Sequence, residues 1–413
     1  MTTKSLSRIT TLAALASGIA VFAAVPGGAQ QKPTSGPVAR YDMRAGTVSG
    51  AGAGGRGGMG AAMMFGGGRG GNQVQRELYL RLGSSAAPTT GAPKADHYMP
   101  DGALLGKSVP LTTPREERAP EEFPQGQRPK GRMLIYWGCG EHAGPGQPVI
   151  IDFARLAAGQ MPPGLWSTTI LRDWGPTPAN SRTFGRWPAE DNKFVKPGSS
   201  LIGAHRIAGN YSPEISFTLA HDFMAPLSTR LRSLPSGSRL LAWDAIPDAT
   251  GYLAGLFGGS MNQRGEMGDM VMWSSSATRQ FGGGLGDWLS PSTVAGLVRD
   301  RTVLPPEKTS CAIPAEVIRD AGQFRMGTLT AFGPEEDFSY PPRPANPKAA
   351  WNLQWTARVR HKSTTSWMDM PGMGGMGAMG GGMSGGDDAR GQQQEQRPRR
   401  GGLGGMLGGG FGF

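Results

Sequence analysis

Histidine, cysteine and acidic side chains are the groups that could do chemistry in this chain of 413 residues. Imidazole nitrogens bind metals or move protons, and the usual zinc motifs place their ligands a few residues apart. No two histidines here have the spacing of a metal-binding helix, and there is no Cys-x-x-Cys pair. The pattern favours isolated surface or capping histidines. They are His97, His142, His205, His221 and His361.

Hydrolase and nucleotide-binding motifs are not recognisable either. No Gly-x-Ser-x-Gly nucleophile elbow stands between a strand and a helix, and no phosphate-binding loop occurs. Carbohydrate hydrolysis needs two carboxylates about 5–9 Å apart, and the acidic candidates are Glu141, Asp152, Asp173 and Asp244. Carboxylates on a β surface are usually solvated, and Asp244 is expected to support the turn after Trp243. We expect no catalytic residues and no cofactor, with a cell-envelope hydrolase as an alternative.

Residues 1–29 have the composition of a secretory signal peptide. Lys4 and Arg8 precede a mostly apolar stretch, and Gly27 and Ala29 are the small residues expected before a cleavage site. We expect a mature chain that is periplasmic or secreted. An uncleaved anchor helix is the alternative, but Pro-Gly-Gly interrupts the stretch before it reaches the length of about 20 residues that spans a bilayer. No later stretch predicts a transmembrane span.

Cys139 and Cys311 are the only cysteines, and the predicted export bears on their redox state. An oxidising compartment favours a disulfide between them. Such a bridge would connect the start of the tryptophan-rich segment to its end, because all ten tryptophans lie between Trp137 and Trp367. The alternatives are two buried, unpaired thiols, or a catalytic thiol at Cys139 with His142 nearby in the sequence.

The carboxyl-terminal tail, residues 368–413, is rich in glycine and methionine. Thioethers are soft ligands that suit Cu(I), and export would bring them into contact with free copper. Periplasmic copper handling is therefore an alternative function, although His and acidic residues are rare in this run. A flexible tail with weak, adaptable methionine contacts is the other interpretation. The methionines concerned are Met368, Met370, Met373, Met376, Met379 and Met383.

The net charge of +11 does not indicate a nucleic-acid-binding protein. A nucleic-acid groove needs clustered Lys and Arg, and the densest cluster here is Arg-Pro-Arg-Arg at residues 397–400. We therefore expect no nucleic-acid partner. The charge is interpreted as solubility, or as weak attraction to anionic surfaces.

Glycine (67 residues) is concentrated in parts of the chain that are expected to be disordered. Residues 30–130 form a Gly/Met-rich and Pro-rich linker, and such sequences bury too little apolar surface to offset the ordering entropy. Inside the linker, residues 74–82 could form a helical turn or a short strand with three leucines on one face. The tail is expected to be disordered for the same reason.

Short alternating stretches predict an all-β core between residues 131 and 367. Apolar and polar side chains alternate with a period of two, which indicates half-buried strands, and continuous apolar stretches fit buried ones. A single short helix is expected near residues 315–321. The candidate strands are residues 133–137, 149–153, 214–221 and 351–359.

Residues 240–252, Leu-Leu-Ala-Trp-Asp-Ala-Ile-Pro-Asp-Ala-Thr-Gly-Tyr, resemble the B-to-C strand region of fibronectin type III-like domains. In that family a Trp closes one strand and Gly-Tyr opens the next. The resemblance implies that Trp243 fills the centre of an immunoglobulin-like sandwich and that Tyr252 begins the facing sheet. It covers about residues 225–361. It also implies an edge strand at residues 270–273 and further strands at residues 309–314, 324–331 and 351–359.

The resemblance has departures and sets the expected domain boundaries. Phe324 stands where the family usually has a Tyr, and the connection over residues 274–308 is longer than usual. We expect a β-rich module over residues 131–224 and a fibronectin type III-like sandwich over residues 225–367. The first of these could also be strands that extend the second.

Aromatic residues in the core suggest how such a protein would act. Trp166, Trp174 and Trp187 lie in loop-like, Pro/Gly-rich sequence, where exposed aromatic side chains make contact anchors. Their alternative role is to seal the ends of the sandwich. We expect an exported, non-enzymatic β-sandwich protein that acts in binding or as a structural component of the cell envelope. Its partner would be an envelope protein or a glycan.

Overall fold

A computed structural model describes residues 36–51, 74–114, 131–160, 171, 175–190, 193–261, 267–280 and 284–369. The expected signal peptide, the chain after Asp369, Trp166, Trp174 and Asp173 lie outside the described residues. Within the described ranges, no helix has both the length and the apolar character needed to cross a membrane.

The described part of the chain is mostly β-structure with three short α-helices. The strands are β1 (Ala39–Gly50), β2 (Val74–Ser84), β3 (Ala95–Tyr98), β4 (Ser108–Pro110), β5 (Arg132–Trp137), β6 (Val149–Asp152), β7 (Thr183–Trp187), β8 (Phe194–Val195), β9 (Gly203–Gly209), β10 (Ile215–Leu219), β11 (Thr229–Ser233), β12 (Arg239–Trp243), β13 (Gly251–Met261), β14 (Met267–Ser274), β15 (Ser310–Ile313), β16 (Phe324–Tyr340) and β17 (Trp355–Asp369). The helices are α1 (Phe153–Ala157), α2 (Pro291–Arg299) and α3 (Ala315–Asp320), with short 3-10 turns at Asp101–Ala103 and Pro178–Asn180.

These strands form one large sheet and two small ones. The large sheet has the order β6-β5-β14-β13-β16-β17-β1-β2-β7, with β8 also paired to β2. The small sheets have the orders β10-β9-β3-β4 and β11-β12-β15. The large sheet is mixed, because β1 runs parallel to β17 and β5 runs parallel to β14.

Both small sheets pack on the same face of the large sheet. Successive side chains of a strand point to opposite faces, and odd-numbered residues of β17 contribute to both cores. Ala357 and Val359 belong to the core beneath the four-stranded sheet, whereas Trp367 belongs to the core beneath the three-stranded sheet. The arrangement is compatible with a β-sandwich in which one broad sheet carries two narrower ones side by side.

The opposite face of the large sheet is partly covered by residues 284–303, which include α2. The Ser290 hydroxyl accepts from the backbone N–H of Thr293 and begins the helix, and Pro291 occupies its first turn. Val294 and Leu297 are buried there. This helix was not expected from the sequence, because two buried positions in nine residues make too short a periodic pattern.

The expectation that residues 30–130 are disordered is wrong for the described part of that segment. β1 and β2 lie inside the large sheet, and β3 and β4 belong to the four-stranded sheet. Glycine and proline lower the local strand propensity, but pairing with β17, more than 300 positions along the chain, overrides that propensity. The strand interpretation of residues 74–82 is the one observed, with its three leucines fully buried.

The expected boundary between residues 224 and 225 does not separate two sheets. β5, from the first expected module, pairs with β14 from the second. Residues 220–228 instead cross from the four-stranded to the three-stranded sheet, and we call them the strap. The Thr47 hydroxyl donates to the Met224 carbonyl and the Ser49 hydroxyl to the Leu227 carbonyl, both at 2.6 Å. Local sequence patterns cannot report such long-range pairing.

Two smaller expectations also differ from the structure. The segment 270–273 lies in β14, which pairs with β5 as well as β13, so it is not at an edge. The last strand begins at Trp355 and not at Trp351, since the pairing with β1 and β16 starts at Trp355. The helix expected near residues 315–321 corresponds to α3.

Cys139 and Cys311 form a disulfide in the structure. Cys139 follows β5 of the large sheet, and Cys311 lies in β15 of the three-stranded sheet. The backbone N–H of Gly140 also bonds the carbonyl of Ala312 at 2.9 Å. The bridge therefore connects the two facing sheets at this end of the molecule.

Replacing both cysteines with alanine should lower the free energy of unfolding by about 2–5 kcal/mol, because the bridge closes a loop of 172 residues and restricts the unfolded chain. Guanidinium unfolding monitored by tryptophan fluorescence would measure this. The unsubstituted protein kept in reductant should show the same loss. An unchanged midpoint in both samples would contradict the prediction.

Candidate functional site

The tryptophan and methionine candidates from the sequence are only partly within the described residues. Trp187 lies on β7, opposite Leu80 of β2, and packs against the core beneath the four-stranded sheet. That position matches the sealing role better than that of an exposed anchor. Met368 is near the end of β17, opposite Met326 of β16. Trp166, Trp174 and the methionines from Met370 onward lie outside the described part.

Two of the acidic candidates for hydrolysis, Asp152 and Asp244, have separate local roles. The Asp152 carboxylate accepts from the backbone N–H groups of Ala154 and Arg155 and so begins α1. Asp244 forms an exposed ion pair with Arg230 at 2.8 Å. Asp152 lies in the large sheet and Asp244 follows the three-stranded sheet, so the fold does not direct them toward one bond.

Two of the five histidines meet in the core beneath the four-stranded sheet. The Tyr41 hydroxyl is 2.7 Å from Nδ1 of His97, and Nε2 of His97 is 2.9 Å from Nδ1 of His205. Nε2 of His205 is 2.7 Å from the Leu201 carbonyl oxygen. Since a carbonyl only accepts, His205 must donate there, and the direction of each preceding bond follows. Tyr41 donates to His97, and His97 donates to His205.

Burial keeps this chain of hydrogen bonds neutral. Burial lowers the pKa of His97 well below its usual value, and the adjacent His205 lowers it further. Burial also lowers the pKa of His205 and raises that of Tyr41. The chain ends on a backbone carbonyl, and neither imidazole is more than 2% exposed. It therefore holds β1, β3 and β9 together and does not offer a base to a substrate.

The candidate binding surface is the outer side of the four-stranded sheet. On this surface Arg206 stacks on Tyr98, with its guanidinium carbon 4.0 Å from the centre of the Tyr98 ring. Arg206 also pairs with Glu214 at 3.1 Å. An open depression of about 400 Å³ is lined by Tyr98, Met99, Ala204, His205, Arg206, Ser216, Phe217 and Thr218.

This surface suits a ligand with both flat apolar and charged parts. Aromatic faces pack against sugar rings or apolar groups, and guanidinium groups bond carboxylates. The hydroxyls of Ser216 and Thr218 are exposed and can donate or accept. The imidazole of His205 in this lining is almost fully buried. The depression therefore presents an aromatic face, a guanidinium group and two hydroxyls to solvent.

The other face of the large sheet carries a layer of buried charges. The Asp42 carboxylate, 1% exposed, contacts Arg44 at 2.8 Å, Arg360 at 2.7 Å and Arg358 at 3.4 Å. Burial, and then the neighbouring Asp337, raise the pKa of Glu335 in the same layer to about 7. The layer joins β1, β16 and β17.

The segment before α2 covers part of this charged layer. Arg360 donates to the carbonyl of Trp288. The Lys362 ammonium lies 4.4 Å from the centre of the Trp288 ring, and Tyr79 packs edge-on against that ring. A charged layer that is covered in this way contributes to the architecture and is not the binding surface.

The histidine chain was missed from the sequence, although one signal was present. Residues 95–98 alternate, and Ala95 and His97 share the inner face of β3. If these four residues are taken as a strand with alternating side chains, His97 is predicted on the same, inward face as the apolar Ala95. No protein-family model matches the chain, and no curated protein has a matching sequence.

Buried neutral histidines make the stability depend on pH. The folded-state pKa of His97 is below the unfolded value of about 6.5, so protonation favours unfolding. Its stabilising contribution is complete above about pH 6.5 and is lost as the pH falls toward the folded-state pKa, by up to about 1.4 kcal/mol per pH unit. Urea unfolding at several pH values between 7.5 and 5 gives the free energy of unfolding as a function of pH. This free energy should fall less steeply with decreasing pH for His97→Gln than for the unsubstituted protein. His142→Gln, at an exposed position, should keep the original slope, and equal slopes in both variants would contradict the assignment.

Asp42→Asn should lower the free energy of unfolding by about 3–5 kcal/mol, because the buried arginine side chains would lose the carboxylate between them. Chemical unfolding at neutral pH measures the change. Asp244→Asn breaks an exposed pair with Arg230 and should have little effect. Similar losses in both variants would show that burial of the pair is unimportant.

Proposed function

We propose that this protein is an exported β-sandwich protein that acts by binding a cell-envelope glycan, and not by catalysis. The observation that carries the proposal is the outer surface of the four-stranded sheet. There Tyr98 and Arg206 stack beside the exposed hydroxyls of Ser216 and Thr218. In the described part of the chain, the titratable groups with the strongest burial serve the interior and do not face this surface.

We also propose that residues 229–369 are a fibronectin type III-like module within the larger fold. Such sandwiches place strands A, B and E in one sheet and C, F and G in the other. The order β11-β12-β15 facing β13-β16-β17 is consistent with that arrangement. Trp243 and Tyr252 lie 5.5 Å apart between the sheets, in support of the resemblance. The proposed binding surface lies outside this module, on the four-stranded sheet.

An envelope glycan with peptide branches fits the chemistry of the surface. Sugar rings have apolar faces that pack on aromatic side chains, and the acidic ends of peptide branches bond guanidinium groups. Export of the chain, predicted from residues 1–29, would bring it to such a polymer. A protein partner stays the alternative, and Trp166 and Trp174 stay predicted contact residues.

Co-sedimentation of the purified full chain with peptidoglycan sacculi tests the proposal. The combined variant Tyr98→Ala and Arg206→Ala should bind about tenfold more weakly, because it removes both anchors from an exposed sheet face. The control is Arg230→Ala, which removes an arginine of a similar exposed ion pair from the three-stranded sheet and should bind normally.

Two results would overturn the proposal. The first is absence of sedimentation with the sacculi, and the second is an equal loss in the combined variant and in Arg230→Ala. Chromatography of the supernatant tests the catalytic alternative in the same experiment, because soluble glycan fragments would show a hydrolase. Circular dichroism of each variant separates lost binding from lost folding.

A further inference from the structure

His361 on β17 is a buried imidazole without hydrogen bonds. Its side chain is 0% exposed, and neither ring nitrogen has a hydrogen-bond partner. Buried polar side-chain atoms are nearly always bonded to protein, water or an ion. Leaving both nitrogens of a buried ring without partners costs free energy. The position therefore calls for a ligand that binds a ring nitrogen.

Two further donor groups lie next to this imidazole. Oε1 of Glu336 is 4.0 Å from Nε2 of His361 and 3.2 Å from Nδ1 of His221. The Glu336 carboxylate is oriented by the backbone N–H groups of Ala220 and His221 at 3.2 and 3.3 Å. The centres of the two imidazole rings are 6.4 Å apart.

Three separate elements create this juxtaposition. His361 comes from β17, Glu336 from β16, and His221 from the first residues of the strap. The pairing of β16 with β17 shifts register between Phe332 and Glu335, and Glu336 then pairs with Val359, on the same face as His361. The bulge brings the carboxylate to the imidazole.

The electrostatics of the position favour a cation. A neutral imidazole has a lone pair on one ring nitrogen, and neither nitrogen of His361 is engaged in a hydrogen bond. The carboxylates of Glu336, Asp222 and Asp248 act on the ring from nearby. His221 is half-exposed, which opens the position to solvent.

We propose that His221, Glu336 and His361 bind a divalent transition-metal ion of the zinc class. Two imidazoles and one carboxylate are a preferred donor set for such ions, with a fourth position open to water. Tetrahedral ligands about 2.0–2.1 Å from zinc lie about 3.3–3.4 Å from one another. The 3.2 Å separation already fits, and the 4.0 Å separation must shorten. In the structure as described, no three such side chains already surround one metal position, so the ion would draw the His361 ring toward Glu336.

Zinc titration of the EDTA-treated full chain tests this site. Isothermal calorimetry should show one ion per chain with a dissociation constant in the micromolar range or tighter. His221→Ala and Glu336→Gln should each weaken binding at least about tenfold. Thioethers are poor zinc ligands, so the methionine-rich tail does not interfere.

The matched control is His142→Ala. His142 is an exposed histidine 3.1 Å from Glu316, without a second imidazole beside it, and its loss should leave binding unchanged. Cobalt in place of zinc should give the visible absorption of a tetrahedral site in the unsubstituted protein, and His221→Ala should lose that absorption. His361→Phe should abolish zinc binding. If this substitution at a buried position unfolds the chain, His221→Ala still tests the site, because His221 is half-exposed.

Three outcomes would overturn the proposal. They are no zinc binding by the unsubstituted chain, full binding by folded His361→Phe or by His221→Ala, and a loss in His142→Ala equal to that in His221→Ala. Failure here would leave the glycan proposal intact, because the metal site and the glycan-binding surface share no residue.

Discussion

The buried carboxylate of Asp42 is the interaction on which the large sheet depends. It lies on β1 and contacts Arg358 and Arg360 of β17, so the first and last described strands are joined by charge as well as by backbone pairing. A buried charge is tolerated only when it is paired, and a slip of one residue would turn Asp42 toward the apolar face. Register and charge pairing therefore select the same alignment. With these two strands side by side, the sheet is continuous from β6 to β7.

The opposite face of the same strands explains the rest of the architecture. Two apolar cores form there, each beneath a small sheet, and the strap crosses between them. The strap's carbonyl groups need donors, and the hydroxyls of Thr47 and Ser49 supply them. These polar positions interrupt what would otherwise be one apolar surface. They divide the sandwich into two units without breaking the large sheet.

The location of the ionisable groups is the basis of our proposal of a binding function. His97 and His205 are in a closed chain of hydrogen bonds that ends on a carbonyl. Glu335, whose pKa is raised to about 7, lies in the charged layer with Asp337. Catalytic groups with shifted pKa values usually face a cleft. In this protein the three groups just named face the interior, whereas the exposed depression has the stacked side chains of Arg206 and Tyr98.

The sequence by itself determined the mostly β-character, since alternating side chains report a half-buried strand from purely local information. Strands such as β10 and β17 and the short helix α3 could be predicted in this way. Only the tertiary structure decided that residues 39–50 form a strand, because their glycine-containing stretch is stabilised by distant β17. It also decided which histidines meet: His97 and His205 come together on paired strands, and His221 approaches His361 across a strap and a bulge. Spacing along the chain carries no information on such encounters, because strand register and a one-residue bulge set them in space.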